Sequence, residues 1–408
     1  MAHSRCRSWL LVPLILLAAC AAPEPPPPEP AWRESPEATG GATGGATGGA
    51  TGGLHLAGQP HTDRLGQLRR QLDPSRSFFP LALDNAMVDY GRGLRFGFAH
   101  AYEAGFNAVA PWAGQPPAAV LNAAAGSRVL AILEGDARNQ AAEEQADSQA
   151  LLDASAVRLV RIEPFRIAQA TSSAGAIDGP QGLEILRQAV AQTPNTPIWA
   201  VLQAYAAPDL GRRLPSSAEA RALAYGAVIN GASGLVWFGE DSYAARSNGA
   251  LGIGPALPLD YGVVLTEGAN QPFKPEPAQV GQARALWLTI SRLNREIERL
   301  APALLSPTAP GPLRAALLPL DGGPDLAPGE TPIRLRLKQQ PGSQPGHLTL
   351  LAVNSSPRPW RLRLDLPMGI RQLERWFDTD PPPALKLGNR QFEEDFPPLG
   401  VRIYRITP

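Results

Sequence analysis

Residues 79–112 read FPLALDNAMVDYGRGLRFGFAHAYEAGFNAVAPW, and this stretch decides the fold. Its pattern predicts a strand over 79–84, a helix over 94–104 that ends at Gly105, and a second strand over 106–112. A helix between two apolar strands forms a βαβ unit, in which the two strands run parallel. The stretch therefore predicts an α/β domain built on a parallel sheet.

The same alternation of strands and helices continues along the chain. Four more apolar runs predict strands over 128–134, 157–163, 197–205 and 234–238. Helical patterns precede or separate them over 117–125, 139–152, 180–191 and 215–230, and a long helix over 277–300 ends the region. Strands that are apolar throughout are typical of sheets covered on both faces.

Two architectures fit this order, a (β/α)8 barrel and an open doubly wound sheet. No GxGxxG motif follows the first strand and no Walker A motif occurs, which disfavours nucleotide-binding versions. We expect a TIM-like (β/α)8 barrel over 77–304, near the low end of barrel length. Only six strands are clear, so the barrel is incomplete or has irregular strands, and 262–266 is a candidate for a missing one.

Beyond residue 305 the apolar residues alternate with polar ones, as in a strand with one covered face. This pattern predicts an antiparallel β-sandwich over 305–408, with Trp360 and Trp376 in its core. Its expected strands are 313–320, 333–339, 347–354, 360–366, 372–378 and 400–406.

The N-terminus has the features of a bacterial export signal over residues 1–19. Arg5 and Arg7 precede an apolar run that is too short to span a bilayer of about 30 Å. The run ends in Leu-Ala-Ala-Cys at Cys20, which resembles the lipobox of bacterial lipoproteins. The resemblance implies acyl chains such as palmitate on Cys20, which would hold the protein on a membrane without a spanning helix.

A tether over 20–76 follows, rich in Pro at first and then built of Thr-Gly-Gly-Ala repeats. Because Ala21 rather than Asp follows Cys20, the resemblance implies the outer membrane, facing the periplasm, or the cell surface.

Composition excludes several classes of function. The chain has 37 basic and 37 acidic residues, and this neutral balance argues against a nucleic-acid partner. Both cysteines lie within the first 20 residues, which excludes a disulfide, a catalytic thiol or a cysteine zinc site in the folded part. The five histidines show no metal-binding spacing, and we expect no metal and no cofactor.

Polar side chains stand where the predicted parallel strands end. The βα loops of a barrel converge at this edge, so these residues would surround one cavity. They are Asp84, Trp112, Glu134, Glu163, Gln203 and Glu240, with Tyr205 and Trp237 close by. Carboxylates for acid/base chemistry beside aromatic side chains are typical of a cleft that binds sugars.

Glu163 is the strongest catalytic candidate, because it ends a strand and precedes Pro164. Arg161 has the same strand parity and could keep a neighbouring carboxylate ionised. Alternatively, Arg161 forms a purely structural ion pair with Glu134 or Glu163. Asp84 could equally form a turn with Asn85, and Glu240 could be a solvated loop acid.

The stretches FFPLALD, EAGFNAVAPW, RVLAILE and VRIEP, in this order, resemble the catalytic barrel of (β/α)8 glycoside hydrolases. The stretch RALAYGAVINGASGLVWF resembles the late helix and last strand of that group, in which a trailing β-sandwich is common. The resemblance implies that Glu163 is the general acid/base, and a second carboxylate must act as nucleophile or base. Glu240 is the first choice for that second role and Glu134 the second.

Two functions remain open on this basis. The first is a membrane-anchored glycoside hydrolase-like enzyme that acts on a polysaccharide or oligosaccharide. The second is a non-catalytic envelope lipoprotein that binds a glycan or a protein partner on a degenerate barrel.

Overall fold

A computed structural model describes fifteen segments of the chain. They are residues 78–86, 97–111, 115–133, 151–152, 158–161, 179–192, 197–205, 213–238, 277–306, 313–322, 332–339, 347–366, 369–377, 386–387 and 390–408. All of them belong to one compact unit, Trp32–Pro408.

The first part of the described chain forms a parallel sheet of seven strands. They are β1 (Leu81–Ala86), β2 (Ala108–Pro111), β3 (Leu130–Ile132), β4 (Leu151–Leu152), β5 (Arg158–Arg161), β6 (Ile198–Gln203) and β7 (Gly234–Phe238). Their order across the sheet is β4-β3-β2-β1-β7-β6-β5, and every pairing is parallel. The predicted α/β fold with a parallel sheet is confirmed.

This strand order favours a barrel over an open doubly wound sheet. From β1 to β4, and again from β5 through β7 back to β1, each step across the sheet goes in the same direction. Right-handed crossovers that all step in one direction place their helices on a single face. The one exception is the step from β4 to β5, which are neighbours only if the sheet closes. The described pairings do not include β4 with β5, so closure stays a prediction.

Two sequence expectations about the strands need correction or restriction. The helix expected over 139–152 is wrong at its end, because Leu151 and Leu152 form β4 and pair with Ala131 and Ile132 of β3. The candidate strand 262–266 lies outside the described residues. Since β1 pairs directly with β7, no further strand fits between these two.

The helices of this part are α1 (Phe98–Glu103), α2 (Pro117–Gly126), α3 (Gly179–Gln192), α4 (Ser217–Ile229) and α5 (Pro277–Leu304). The predicted stop at Gly105 is confirmed, because this glycine follows α1 with a φ of 81°. Ser216 caps α4 and forms a reciprocal capping box with Glu219. No helix in the described part of the chain is long and apolar enough to cross a membrane.

The two faces of the parallel sheet bury different sets of side chains. Leu81, Leu83 and Leu235 pack into a cluster that includes residues of the helices. Alternate residues of the same strands form a second cluster made only of residues in or next to strands: Phe78, Ala82, Ala108, Leu130, Trp199, Val201 and Val236. Helices therefore cover one face, and the strands line the other, as in a barrel with a packed interior. We call these the outer and inner faces.

The second part is an antiparallel β-sandwich, as the alternating pattern predicts. Its strands are β8 (Arg314–Pro319), β9 (Ile333–Gln339), β10 (Leu348–Asn354), β11 (Trp360–Asp365), β12 (Gln372–Trp376), β13 (Lys386–Leu387), β14 (Gln391–Phe396) and β15 (Val401–Thr407). They form two four-stranded sheets, β12-β15-β10-β9 and β13-β14-β11-β8. Trp360 lies in the buried core between the sheets, whereas Trp376 is only half-buried and packs outside it.

A buried charged cluster lies inside the sandwich. The Glu394 side chain is 1% exposed and accepts a hydrogen bond from Arg402 Nε at 3.0 Å, besides contacts with Arg375 and the Tyr404 hydroxyl. Burial raises the pKa of Glu394 above its usual value, although these donors act against the shift. The cluster links the two sheets across the apolar core.

The sandwich and the α/β part share one apolar core. Leu351, Val353, Val401 and Ile403 of the sandwich belong to the same buried cluster as the helices. Two arginines of β9 also bind the end of α4, where Arg334 Nη1 donates to Asn230 Oδ1 and Arg336 Nε to the Ile229 carbonyl, both at 2.9 Å. The predicted boundary at 304/305 thus marks a change of architecture inside a continuous core, and as a domain boundary it stays a prediction.

Candidate functional site

Polar and aromatic side chains form one row at the carboxyl ends of the central strands. Gln203 pairs in register with Phe238, Phe238 with Asp84, and Asp84 with Ala110. Gln203, Phe238 and Asp84 each stand two residues after an inner-face residue of their strand. The inner face therefore ends in an amide, an aromatic ring and a carboxylate, and we call these three residues the strand-end row.

Gln203 fixes the backbone that leaves β6. Its Nε2 donates to the carbonyl of Tyr205 at 2.7 Å and to the carbonyl of Arg213 at 2.9 Å. Both hydrogens of the amide are used, and the side chain is only 6% exposed. Gln203 thus holds two chain positions together next to the row, and only its Oε1 is left to face a ligand.

Tyr205 lies beside the row and contacts it through its ring. The Tyr205 and Phe238 rings meet edge to face, with centroids 5.2 Å apart and an interplanar angle of 77°. Ala204 N donates to the Phe238 carbonyl at 2.8 Å, which fixes the neighbouring backbone. Both rings are half-buried. This aromatic corner next to Asp84 suits the apolar face of a sugar ring.

An ion pair at the amino end of α4 supports the backbone next to the strand-end row. Arg213 Nη1 donates to Glu219 Oε2 at 2.6 Å, and Ser216 N donates to the same oxygen at 2.7 Å. Burial alone would raise the pKa of Glu219, but the hydrogen bonds from Arg213 and Ser216 outweigh it and lower the pKa below 4.5. Glu219 is therefore ionised and occupied by protein donors, which suits a structural role.

Two amide side chains that the sequence patterns did not single out also position β1. Asn107 Oδ1 accepts from Leu81 N, and its Nδ2 donates to the Phe79 carbonyl, both at 2.8 Å. Gln115 Nε2 donates to the Ala86 carbonyl at 2.9 Å. Asn107 thus clamps the amino end of β1 and Gln115 its carboxyl end, close to Asp84.

Trp237 does not belong to the row. Its side chain is 0% exposed and lies in the outer-face cluster among the helices. A ligand at the strand ends has no access to this indole. We therefore leave Trp237 out of the candidate site, although its neighbour Phe238 belongs to it.

Several predicted site residues lie outside the described residues. They are Trp112, Glu134, Glu163, Glu240 and the lipidation candidate Cys20. Arg161 is the last residue of β5, and its backbone pairs in register with Val201 of the inner face. Glu134, Glu163 and Glu240 each follow the end of β3, β5 or β7 by two residues along the chain.

Within the segments that the structure covers, no group of three or more His, Cys, Asp or Glu side chains could hold a metal ion. The strand-end row and Tyr205 provide an amide, one carboxylate and two aromatic rings for contact with a ligand.

No protein-family model matches the sequence, and no curated protein matches it. Among solved structures the chain is similar to glycoside hydrolases at low scores. A glycoside hydrolase of family 5 from Bacteroides vulgatus has a TM-score of 0.43 at 12% identity, over 82% of this chain and 90% of that one. A glycoside hydrolase family 30 subfamily 8 xylanase from Clostridium acetobutylicum has a TM-score of 0.30 at 8% identity, over 91% of this chain and 75% of that one.

An α-amylase from Geobacillus thermoleovorans also has a TM-score of 0.30, at 11% identity over 74% of this chain and 60% of that one. At these scores the similarity does not carry an activity or a residue role over to this chain.

Proposed function

We propose that this chain is a membrane-anchored, glycoside hydrolase-like protein that cleaves a polysaccharide or oligosaccharide by carboxylate acid/base catalysis. The observation that carries the proposal is the strand-end row. Asp84, Gln203 and Phe238 lie in register at one edge of a sheet with barrel-type strand order. Active sites of such sheets form at this edge.

The catalytic carboxylates come from the segments that follow three strands of the same sheet. Inner-face residues alternate along each strand, and Ile132 and Phe238 both pack on the inner-face cluster. Continued for two residues, this alternation predicts the inner side for Glu134 and Glu240. In the proposal Glu163 protonates the glycosidic oxygen, while Glu240, or alternatively Glu134, acts as nucleophile or activates water.

Substrate contacts come from the described edge and its neighbours. The Tyr205–Phe238 corner provides an apolar surface for a sugar ring, and Asp84 accepts hydrogen bonds from sugar hydroxyls. Trp112 and Arg161 are further proposed contacts. Gln203 acts mainly by holding Tyr205 in place.

A Glu163→Gln variant tests the catalytic role. Because a general acid contributes about 100- to 10,000-fold to rate, we expect hydrolysis to fall by about that factor. Thermal stability should change little. The measurement is reducing-sugar release from a polysaccharide panel by the full chain in detergent.

The matched control is Glu184→Gln, which removes a half-buried carboxylate on α3 that accepts hydrogen bonds from Arg187 and Gln188. Its activity should equal that of the unmodified protein. Unchanged turnover in Glu163→Gln would remove this residue from the mechanism. An unmodified protein that binds a glycan without cleaving it would favour the non-catalytic alternative.

A further inference from the structure

A second group of aromatic and basic side chains lies away from the strand-end row, where the sandwich meets α5. The Trp376 and Phe377 rings contact edge to face, with centroids 5.7 Å apart. The Arg299 guanidinium lies 5.1 Å from the Phe377 centroid, and that of Arg405 lies 5.7 Å from the Trp376 centroid. We call these four residues the aromatic–arginine patch.

The two arginines of the patch, Arg299 on α5 and Arg405 on β15, differ from several arginines of the sandwich. In the described segments, neither Arg299 nor Arg405 forms an ion pair or donates a side-chain hydrogen bond. Several sandwich arginines hold carboxylates: Arg358 with Asp321, Arg361 with Asp395 and Arg402 with Glu394. Glu374 stands opposite Arg405 in register, yet Arg405 lies over the Trp376 ring instead.

A guanidinium held over a ring keeps its donors for another partner. Arginine presents five N–H groups in a planar fork that fits a carboxylate or a phosphate with two parallel hydrogen bonds. The ring contact restricts the guanidinium, so less side-chain freedom is lost when an anion binds. The patch therefore offers two guanidinium groups that form no ion pair in the described segments, although Glu374 stands opposite Arg405 in register.

The positive charge continues along α5. Arg292 and Arg295 precede Arg299 by seven and four residues, so all three share one helix face, and all three are exposed. From Arg292 to Arg299 this row extends roughly 10 Å along the helix at 1.5 Å per residue. A line of charges ending at two rings matches an extended chain of repeated acidic units.

The ligand chemistry follows from the combination of rings and cations. A uronic acid unit carries an apolar C–H face that packs on an aromatic ring and a carboxylate that binds a guanidinium. A bilayer fits less well, because Trp376 and Phe377 are half-buried against the protein core and cannot insert.

We propose that the aromatic–arginine patch binds a carboxylate-bearing polysaccharide at a site separate from the strand-end row. This binding does not require the proposed hydrolysis. The probe is polygalacturonate, with dextran as the neutral polysaccharide, and the readout is the Kd of the full chain in detergent. We expect binding of polygalacturonate that weakens as salt rises, and no binding of dextran at the patch.

The double variant Arg299→Gln/Arg405→Gln should bind polygalacturonate at least about tenfold more weakly, since two bidentate contacts are lost. The control Arg128→Gln/Arg284→Gln removes the same charge from two exposed arginines outside the patch and should bind normally. Glu374→Gln should bind more tightly, because the acid beside Arg405 is removed. The lysine pair Arg299→Lys/Arg405→Lys should fall in between.

Equal losses in the patch and control variants would show general charge attraction and overturn the proposal. Unchanged binding in the patch variant with a normal melting temperature would do the same. If Arg299 and Arg405 were needed for binding to phosphatidylglycerol vesicles but not to polygalacturonate, the partner would be a membrane and the proposal wrong. Loss of hydrolysis with retained polygalacturonate binding would instead reject only the strand-end mechanism.

Discussion

A single glycine determines how the inner face of the sheet packs. Gly234 of β7 pairs in register with Trp199 of β6, and a Cβ at this glycine would stand 2.7 Å from Trp199 Cδ1. The buried indole fills the space that the missing side chain leaves. Gly234 therefore lets a large aromatic residue occupy the amino-terminal end of the inner face.

We expect Gly234→Ala to lower the free energy of unfolding by about 1–3 kcal/mol, as overpacked cores do. Urea denaturation measures the change. The control is Gly281→Ala in α5, where an added Cβ meets nothing within 4 Å and helix propensity should stabilise by up to about 1 kcal/mol. A Gly234→Ala variant as stable as the unmodified protein would show that Trp199 moves freely.

The residue scale also shows where sequence reasoning stops. The strand-end positions of Asp84 and Gln203 follow from the strand pattern, and the structure brings them into one row. The face of the sheet on which Trp237 lies does not follow from the sequence. A strand that is buried on both faces is apolar at every position, so the pattern does not show which residues point to which face. The partners of Gln203 lie two and ten residues away in a loop, which a pattern search does not detect.

At the level of elements, α4 begins with a charged and a capping interaction on the same glutamate. Glu219 completes the capping box with Ser216 and binds Arg213. Because its pKa in the folded protein lies below 4.5, its ionised form contributes stability above that pH, and the contribution is lost as the pH falls through the folded pKa.

Glu219→Gln should lower the free energy of unfolding at neutral pH by about 1–2 kcal/mol, as expected for a lost cap with a charged hydrogen bond. The difference should shrink as the pH falls below 4.5. Urea titrations across this pH range measure it. The control Glu184→Gln, which breaks the ion pair with Arg187 on the surface of α3, should change the free energy of unfolding by less than about 0.5 kcal/mol. A pH-independent loss would argue for packing rather than charge.

Elements with clear periodicity were predictable, whereas the strands β4, β13 and β14 were not. The strand β14 was not predicted because Glu394 occupies an inward position between Phe392 and Phe396. The alternation of apolar and polar residues is therefore broken. The Glu394 carboxylate is buried only because Arg375, Arg402 and Tyr404 surround it. The strand β4 was not predicted because its two leucines end a stretch of helix-forming composition. Their pairing with β3 overrides this helix preference.

At the scale of the whole molecule, the chain combines two architectures around one core. The sequence indicates both, but not their contact. β10 is buried at all seven positions, which means that it is covered on both faces. One face packs inside the sandwich and the other against the helices, and this two-sided burial is the signal in the sequence for the shared core.

Attachment to a membrane is a separate property of the whole chain. Cys20→Ala should move the protein from the membrane to the soluble fraction, because acyl chains on this cysteine are the proposed anchor. Cys6→Ala is the matched control, since Cys6 lies in the segment that signal cleavage would remove, and it should leave the distribution unchanged. Fractionation by ultracentrifugation measures both, and a Cys20→Ala variant that still sediments with membranes contradicts lipidation.

The direction of β1 determines where the proposed tether joins the sheet relative to the strand-end row. The chain approaches this strand through Phe78 and Phe79 and reaches Asp84 near its far end, about 15–20 Å away at the rise of a β-strand. The proposed tether over 20–76 thus precedes the amino end of β1 in the chain, whereas the strand-end row lies toward the carboxyl end of this strand. The point where the proposed tether joins the fold and the proposed substrate edge thus lie toward opposite ends of one strand, so we expect that anchoring and ligand binding can be altered independently.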